Sequence, residues 1–412
     1  MSSQIYKNQI PNDWKKFNIG QDAFIKARIG WQSLRTQEYL DVGDYALVTG
    51  TDFNEGMINW NSCQYVSKWR YSQDIDIQLK EKDILVTKDG TIGKVGLVKN
   101  LPYPATLNSG IYVIRPKSAD INPNFLFYMF MSKYFDDFIN VISAGSTITH
   151  LYQKDFINFS FPLPPKAEQD RIAQVLSDMD ELIGAKCELL DKKRTIKQAA
   201  AQQLLTPKPH WHTAALGEIS LKMQSGGTPQ ATNEKFYGGD IYFLKISDIT
   251  QSGKYIHKTQ YTITKAGLEN SSAWLVPIDS LIYSMYASVG FVSINKVELA
   301  TSQAMMCIVI NPEIIDLEFL YYALIKFKEK IYSLIETGTQ GNLNSKIVKS
   351  IEISFPNLSE QTKIAQILSD MDDEISALQD EIGKLKMIKQ GAMDELLSGK
   401  IRLKGELCKK IR

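Results

Sequence analysis

The sequence predicts an α+β fold in which two duplicated domains with mostly β cores are joined by two long helices. Those helices form an antiparallel coiled coil with pseudo-twofold symmetry. Three observations lead there. The run EQDRIAQVLSDMD at Glu168 to Asp180 returns as EQTKIAQILSDMD at Glu360 to Asp372, with ten of thirteen positions identical at an offset of 192 residues. The segments before the two runs show the same order of strand and helix signals. Each run opens a long stretch of coiled-coil periodicity.

The first large segment, residues 1–160, alternates short apolar runs with polar turns at Tyr45 to Thr49, Asp83 to Val86, Val95 to Val98 and Gly110 to Ile114, followed by a helical stretch at Asn124 to Ser132. The second, residues 210–355, repeats this with Ile241 to Lys245, Ser280 to Ser284, Gly290 to Ile294, Ala304 to Ile310 and a helix from Leu317 to Lys330. Strands this short and Gly-bounded suit a partly open β-structure with long loops better than a doubly wound parallel sheet.

Residues 161–209 and 356–412 form the helical regions. Each starts at a proline-marked turn, Phe161 to Pro165 and Phe355 to Pro356, and Ser359 is placed to cap the second helix. In that helix Ile364, Leu368, Met371, Ile375, Leu378, Ile382 and Leu385 alternate steps of four and three, the spacing of a coiled-coil seam. Lys389 interrupts the seam before Ala392 and Leu396 resume it. In the first helix Ile172, Leu176, Met179, Ile183 and Leu190 keep the pattern, Lys186 and Lys193 occupy seam positions, and Leu182, Leu189 and Ile196 form a second stripe. Neither helix buries its stripe alone, so an intramolecular antiparallel pair is the simplest solution. From Ile364 to Leu396 the helix runs about 48 Å, against about 34 Å for one turn of DNA. A spacer between domains of any function satisfies the same pattern.

Composition excludes several classes. The 412 residues are 44% hydrophobic, Met1 to Asp22 does not resemble a signal peptide, and no apolar run approaches the roughly 18 residues of a membrane span, so a soluble intracellular protein is expected. Cys63, Cys187, Cys307 and Cys408 lie far apart, which argues against a zinc site or a disulfide framework. Divided at 160, 209 and 355, the segments carry 17 basic residues against 16 acidic, 8 against 7, 12 against 13 and 10 against 10. Charge alone therefore supplies no nucleic-acid footprint.

The sequence carries no recognisable catalytic signature. Gly90 to Lys94 is too short for a Walker loop and reads as a turn between strands. His150, His210, His212 and His257 lack metal-ligand spacing, and no Gly-rich cofactor loop follows a first strand. Asn122, Pro123, Asn124, Phe125 superficially resembles the amine-holding motif of amino-methyltransferases, but its counterpart Asp316, Leu317, Glu318, Phe319 keeps only the Phe and the helix. A structural element explains both copies. No catalytic residue, metal ligand or bound cofactor is assigned to this chain.

Polar residues at strand ends remain, and these suit contacts to phosphates and base edges: Thr49, Thr51, Lys88, Asp89 and Thr91 in the first half, Lys245, Ser247, Tyr286, Ser288 and Asn342 in the second. They equally suit solvated turns. The repeated helix starts offer a second set of candidates, Glu168, Gln169 and Ile172 with Glu360, Gln361 and Ile364, for docking a partner twice.

The proline-then-EQ helix starts, the IAQ-x-LSDMD runs, Leu216 to Ile219 leading to Ser225 to Pro229, and Tyr237 to Ile241 leading to Leu244 to Ile249 together resemble the specificity subunit of type I restriction-modification enzymes, over essentially the whole chain. Arg28 to Trp31 and Leu47 to Phe53 look like the same elements in variant form, with Gly30 to Ser33 in place of GGTP. The resemblance implies that residues 1–160 and 210–355 are target recognition domains, each reading one half of an asymmetric bipartite site in double-stranded DNA. It implies that the helices act as a ruler. It also implies a prokaryotic cytoplasmic complex with two methyltransferase subunits and with restriction subunits, which bind S-adenosylmethionine, ATP and Mg and supply all catalysis. Two alternatives stand beside it: a coiled-coil scaffold for non-DNA partners, and a solitary methyltransferase or nuclease with fused recognition domains.

Overall fold

The computed structural model describes residues 11–30, 34–143, 150–286, 289–336 and 343–404. The chain divides into two units, Met1–Cys187 with Glu381–Arg412, and Glu188–Asp380. Each unit therefore holds one β-rich domain and part of each long helix.

In the first unit β1 (Lys15–Asn18) pairs antiparallel with β11 (Ser160–Leu163), bringing the two ends of the domain together. Between them lie β2 (Ala23–Ala27), β3 (Ala46–Val48), β4 (Phe53–Asn54), β5 (Gly56–Ile58), β6 (Gln64–Tyr65), β7 (Ile84–Thr87), β8 (Val95–Leu97), β9 (Ala105–Leu107) and β10 (Ile111–Pro116). They form one sheet in the order β2-β10-β7-β8-β5-β4 and a second in the order β6-β3-β9. All four residues of β7 are buried, because one face packs towards the small sheet and the other on a helical layer. Ala46, Val48, Leu85 and Val113 fill the first interface, and Phe125, Phe130, Phe135, Phe156 and Phe159 build the second. Arg115 of β10 clamps Asp83 before β7 through two hydrogen bonds of 2.7 Å, the bidentate geometry that makes a partly buried ion pair specific.

The second unit is built from the same plan. Here β12 (His212–Ala215) pairs with β21 (Glu352–Phe355), while β13 (Ser220–Ser225), β14 (Tyr237–Leu244), β15 (Tyr255–Ile256), β16 (Tyr261–Ile263), β17 (Leu281–Ser284), β18 (Val292–Asn295), β19 (Leu299–Thr301) and β20 (Met305–Ile310) form sheets in the orders β13-β20-β17-β18-β15 and β16-β14-β19. Even the parallel pairs correspond, β3–β9 with β14–β19 and β5–β8 with β15–β18. Among the described residues only β4 lacks a counterpart.

The two long helices, Lys166–Leu204 and Leu358–Leu397, span 39 and 40 residues and pack antiparallel. The lysines in seam positions are explained by acids on the facing helix. In the first unit Lys186 pairs with Glu381 at 2.9 Å, and in the second Lys193 pairs with Glu374 at 2.6 Å. Ile183, Leu190, Leu378 and Ile382 are buried in the seam, whereas Leu182, Leu189 and Ile196 stand 41–49% exposed. One expectation is corrected: Asn357, not Ser359, caps the second helix, because its side chain accepts from the Glu360 backbone N–H at 3.0 Å. Asn122 likewise caps the helix Pro123–Phe130, whose first residue is the proline, so the motif resembling an amine holder is a helix start.

Candidate nucleic-acid interface

The first pair of turns follows β3 and β14. Asp52, 4% exposed, folds its turn by accepting from the Thr49 backbone N–H at 2.7 Å, the Thr49 hydroxyl at 2.9 Å and the Ser62 hydroxyl at 2.8 Å. Asp248 does the same after β14, taking the Lys245 N–H at 2.9 Å and the Gln260 N–H at 2.8 Å. The buried carboxylate is consumed inside the turn, and Thr51 and Ser247 are left exposed on it. The Lys245 ammonium stands 3.5 Å from the centre of the Tyr261 ring, which orients the cation while leaving its donors available.

The second pair follows β7 and β17. Lys88 N–H donates to Gly110 at 2.8 Å and the Leu151 N–H donates to the Lys88 carbonyl at 2.8 Å; Met285 makes the matching bonds with Ala304 and Leu343, at 2.9 and 3.0 Å. Both loops end on a glycine with positive φ, Gly93 at 81° and Gly290 at 80°, and each donates to the residue that opened the loop, Thr87 or Ser284. Asp89 and Tyr286 thus occupy equivalent places, and both are exposed. Asp89 is joined to His150, a residue that sequence reasoning passed over because it was tested only as a metal ligand. Thr91 is exposed on the same loop. Ser288 and Asn342 lie outside the described residues.

Within each unit the two turns share one edge. A Cβ on Gly50 would stand 3.1 Å from the Thr87 methyl, and Asn108, beside the Lys88 loop, donates to the Val48 carbonyl at 3.1 Å. In the second unit the Ser302 N–H donates to Leu244 at 3.1 Å, two residues before the partner of Met285. The edge is tied down differently in the two copies. Register places Ala27 against Tyr112 and Ser225 against Met306, so Arg28 and Gly226 are counterparts, and the expectation that Gly30 to Ser33 replace GGTP is corrected, since that motif begins opposite Arg28. Buried Arg28 sends Nε to the Leu107 carbonyl at 3.0 Å and Nη2 to the Thr106 hydroxyl at 3.1 Å. In the second copy the Gly227 N–H reaches the Thr301 carbonyl directly at 2.9 Å, and a Cβ on Gly226 would collide with that oxygen at 2.0 Å. One arginine side chain replaces the close approach of two glycines.

The helix-start candidates are turned inward. Gln169 donates to the carbonyls of Asp120 and Pro164 at 3.1 and 2.9 Å and accepts from Asn122 N–H at 2.8 Å; Gln361 repeats this with Ile314, Pro356 and Asp316. Glu168, Gln169, Ile172, Gln361 and Ile364 are all buried, and only Glu360 is partly exposed, holding Lys208 at 2.9 Å and His210 at 3.1 Å. The expectation that these side chains form a docking face is corrected for the five buried ones, because the polar atoms of Glu168, Gln169 and Gln361 are already satisfied inside the fold and Ile172 and Ile364 pack in the hydrophobic cores. Other residues are exposed on both helices and identical at the 192-residue offset: Gln174 and Gln366, Asp178 and Asp370, Ala185 and Ala377, Lys192 and Lys384, Ile196 and Ile388. At 3.6 residues per turn Gln174, Asp178 and Ala185 of the first unit fall within an arc of roughly 40°, as do Gln366, Asp370 and Ala377 of the second. The glutamine in each copy donates to the aspartate one turn on, at 2.7 and 2.6 Å.

Comparison with known proteins agrees with this geometry. The family model described as the type I restriction modification DNA specificity domain matches twice, at residues 11–192 and 209–387. The chain is similar to the type I restriction enzyme MjaVIII specificity subunit of Methanocaldococcus jannaschii, with 25% identity over 423 residues that cover 96% of this chain and 95% of the relative. In fold it resembles the type I restriction-modification S subunit of M. genitalium, with a TM-score of 0.61 and 17% identity, covering 94% and 96% of the two chains. A chain from a study of complex assembly and conformational transition of the type I R-M system gives 0.58 and 17%, covering 95% and 100%.

Proposed function

The chain belongs to the type I restriction modification DNA specificity family, a non-catalytic subunit that recognises a DNA target sequence, and from that premise we propose how its parts divide the task. Each β-rich domain, residues 1–160 and 210–355, reads one half of an asymmetric bipartite site, and the helical regions 161–209 and 356–412 set the gap between the halves. The observation carrying this reading is that one scaffold presents different side chains at matched places: Thr49 and Lys245, Thr51 and Ser247, Asp89 and Tyr286. A duplicated reader of two different half-sites needs a constant frame and variable tips.

The repeated exposed helix face supports the opposite inference for partners. A surface written twice takes the same partner twice, and we assign it to two modification subunits. Those subunits, with restriction subunits, bind S-adenosylmethionine, ATP and Mg and perform adenine methylation and cleavage. Methylation requires the adenine to leave the duplex stack, so the domains hold DNA that is locally distorted. No helix among the described residues is long and apolar enough to cross a membrane.

The deciding experiment exchanges residues 210–355 for the corresponding domain of a relative and maps methylated adenines with the modification subunit present. One half-site should change, with the other half-site and the gap constant. Change in both half-sites would defeat the division.

A further inference from the structure

The last aspartate of each repeated run joins three elements. In the first unit Tyr128, on the helix Pro123–Phe130 of the β-rich domain, donates its hydroxyl to Asp180 of the first long helix at 2.8 Å. Lys389 of the second long helix closes on the other carboxylate oxygen, and its ammonium lies 5.6 Å from the centre of the Tyr128 ring. In the second unit the parts return with the helices exchanged. Tyr322, on the helix Leu317–Glu336, donates to Asp372 of the second long helix at 2.7 Å, Lys197 of the first closes on Asp372, and its ammonium lies 5.6 Å from the Tyr322 ring. Each tyrosine is 3% exposed.

This arrangement is a poor choice for stability alone. Lys389 interrupts an apolar seam, and a buried or half-buried ion pair is commonly no better than well-packed apolar residues of similar volume. What polar groups in a helix seam do supply is a single register, because a slipped alignment leaves a charge unpaired. Burial holds both phenols above their ordinary pKa, so they stay protonated donors throughout the working pH range.

We propose that Tyr128–Asp180–Lys389 and Tyr322–Asp372–Lys197 are spacing locks: positioning residues that fix each recognition domain to both long helices at one register, and so confine methylation to one gap length. The inference rests on the spacing reading above and adds the residues that enforce it. The second lock is braced further. Lys254, two residues beyond the helix Ile246–Ser252 that begins at the Lys245 turn, donates to Ser369 at 2.9 Å, to Tyr322 at 3.0 Å and to Glu318 at 2.8 Å. In the first unit the corresponding brace is the exposed pair of Lys386 with Glu55, at 2.8 Å. Loss of the first lock is therefore felt more than loss of the second.

The test uses the full complex with its modification subunit on a library carrying both half-sites at every gap within about five base pairs of the native one, wide enough for the roughly 10.5 Å insertion used below. The native protein should methylate one gap. Tyr128→Phe should raise methylation at the neighbouring gaps about tenfold relative to the native gap, equivalent to about 1.4 kcal/mol, with the half-sites unchanged; Tyr322→Phe should do so less. Lys389→Met, which keeps the apolar stem, should reproduce the broadening, and Lys389→Arg should restore the narrow preference. A seven-residue insertion in both long helices tests the spacing reading itself. A moved gap in that insertion with an unbroadened gap in folded Tyr128→Phe and Lys389→Met overturns the locks alone, whereas an unmoved gap overturns both readings.

Discussion

Arg402 donates to both oxygens of Glu168, at 2.8 and 2.7 Å, across 234 residues of chain. The same guanidinium holds Asp13 at 2.9 and 2.8 Å, and the Trp14 indole also donates to Glu168, at 3.4 Å. The chain's last described turn thereby closes the first helix start, as Lys208 and His210 close the second on Glu360.

Arg402→Ala leaves the Glu168 carboxylate buried without its cation. Breaking such a pair costs about 3 kcal/mol, so the first unit should melt earlier while the second keeps its transition, as followed by proteolysis of each unit. Burial tends to raise the Glu168 pKa, but Arg402 outweighs it and holds the carboxyl below its ordinary range. A depressed carboxyl contributes stability in full above its unfolded pKa, near 4.3, and that contribution is lost as pH falls through the folded value. The difference between native protein and Arg402→Ala should therefore be constant at neutral pH and shrink below about pH 4.

The repeated helix face predicts a stoichiometry. Asp178→Lys should leave the fold intact, since the side chain is exposed, and reduce the complex from two modification subunits to one. Asp178→Lys with Asp370→Lys should leave none. Native mass measurement showing two subunits bound to the double variant would exclude the face.

The matched turns predict half-site-specific effects. Lys88→Ala and Lys245→Ala should each weaken recognition by about 1–3 kcal/mol if the lysine meets a base edge, relaxing only its own half-site, or lower binding at all sequences with a smaller salt slope if it meets phosphate. Methylome maps and salt titrations separate the two outcomes, and no change in either would remove the residue from the interface.

Two thiols should be inert. Burial, with Asp52 adding to it, pushes Cys63 up to about 12, and burial pushes Cys307 to about 12. At pH 8 roughly one thiol in ten thousand is then ionised, so alkylation mapped by peptide mass should spare both in native protein and modify them on unfolding.

Much of the frame is legible in sequence because duplication and periodicity are local signals. The seam residues Ile183, Leu190, Leu378 and Ile382 are where spacing puts them, and Lys186, Lys193 and Lys389 stand out as interruptions before their partners are known. The partners themselves lie far away in sequence. Lys389 meets Asp180 across 209 residues, and no periodicity points to that. Gln169 and Gln361 read as surface residues by type, yet each is consumed capping a loop that only the folded chain brings near. The equivalence of Arg28 with Gly226 is hidden for a similar reason, since a side chain in one copy does what backbone does in the other.

The spacing reading is tested by lengthening both helices together. Inserting residues in one helix alone would break the pairs Lys186–Glu381 and Lys193–Glu374, which lock the antiparallel register. Seven residues inserted between Cys187 and Glu188, and seven between Asp380 and Glu381, preserve the heptad phase of both seams. Each helix grows by about 10.5 Å, close to three base pairs at about 3.4 Å each. The preferred gap should therefore lengthen by about three base pairs with both half-sites unchanged, because the turns around Asp52 and Asp248 are untouched. A flexible tether would instead tolerate many gaps in the native protein and show no shift. If adenine mapping of the insertion variant returns the native gap, the helices do not measure distance, and spacing must come from the partner subunits.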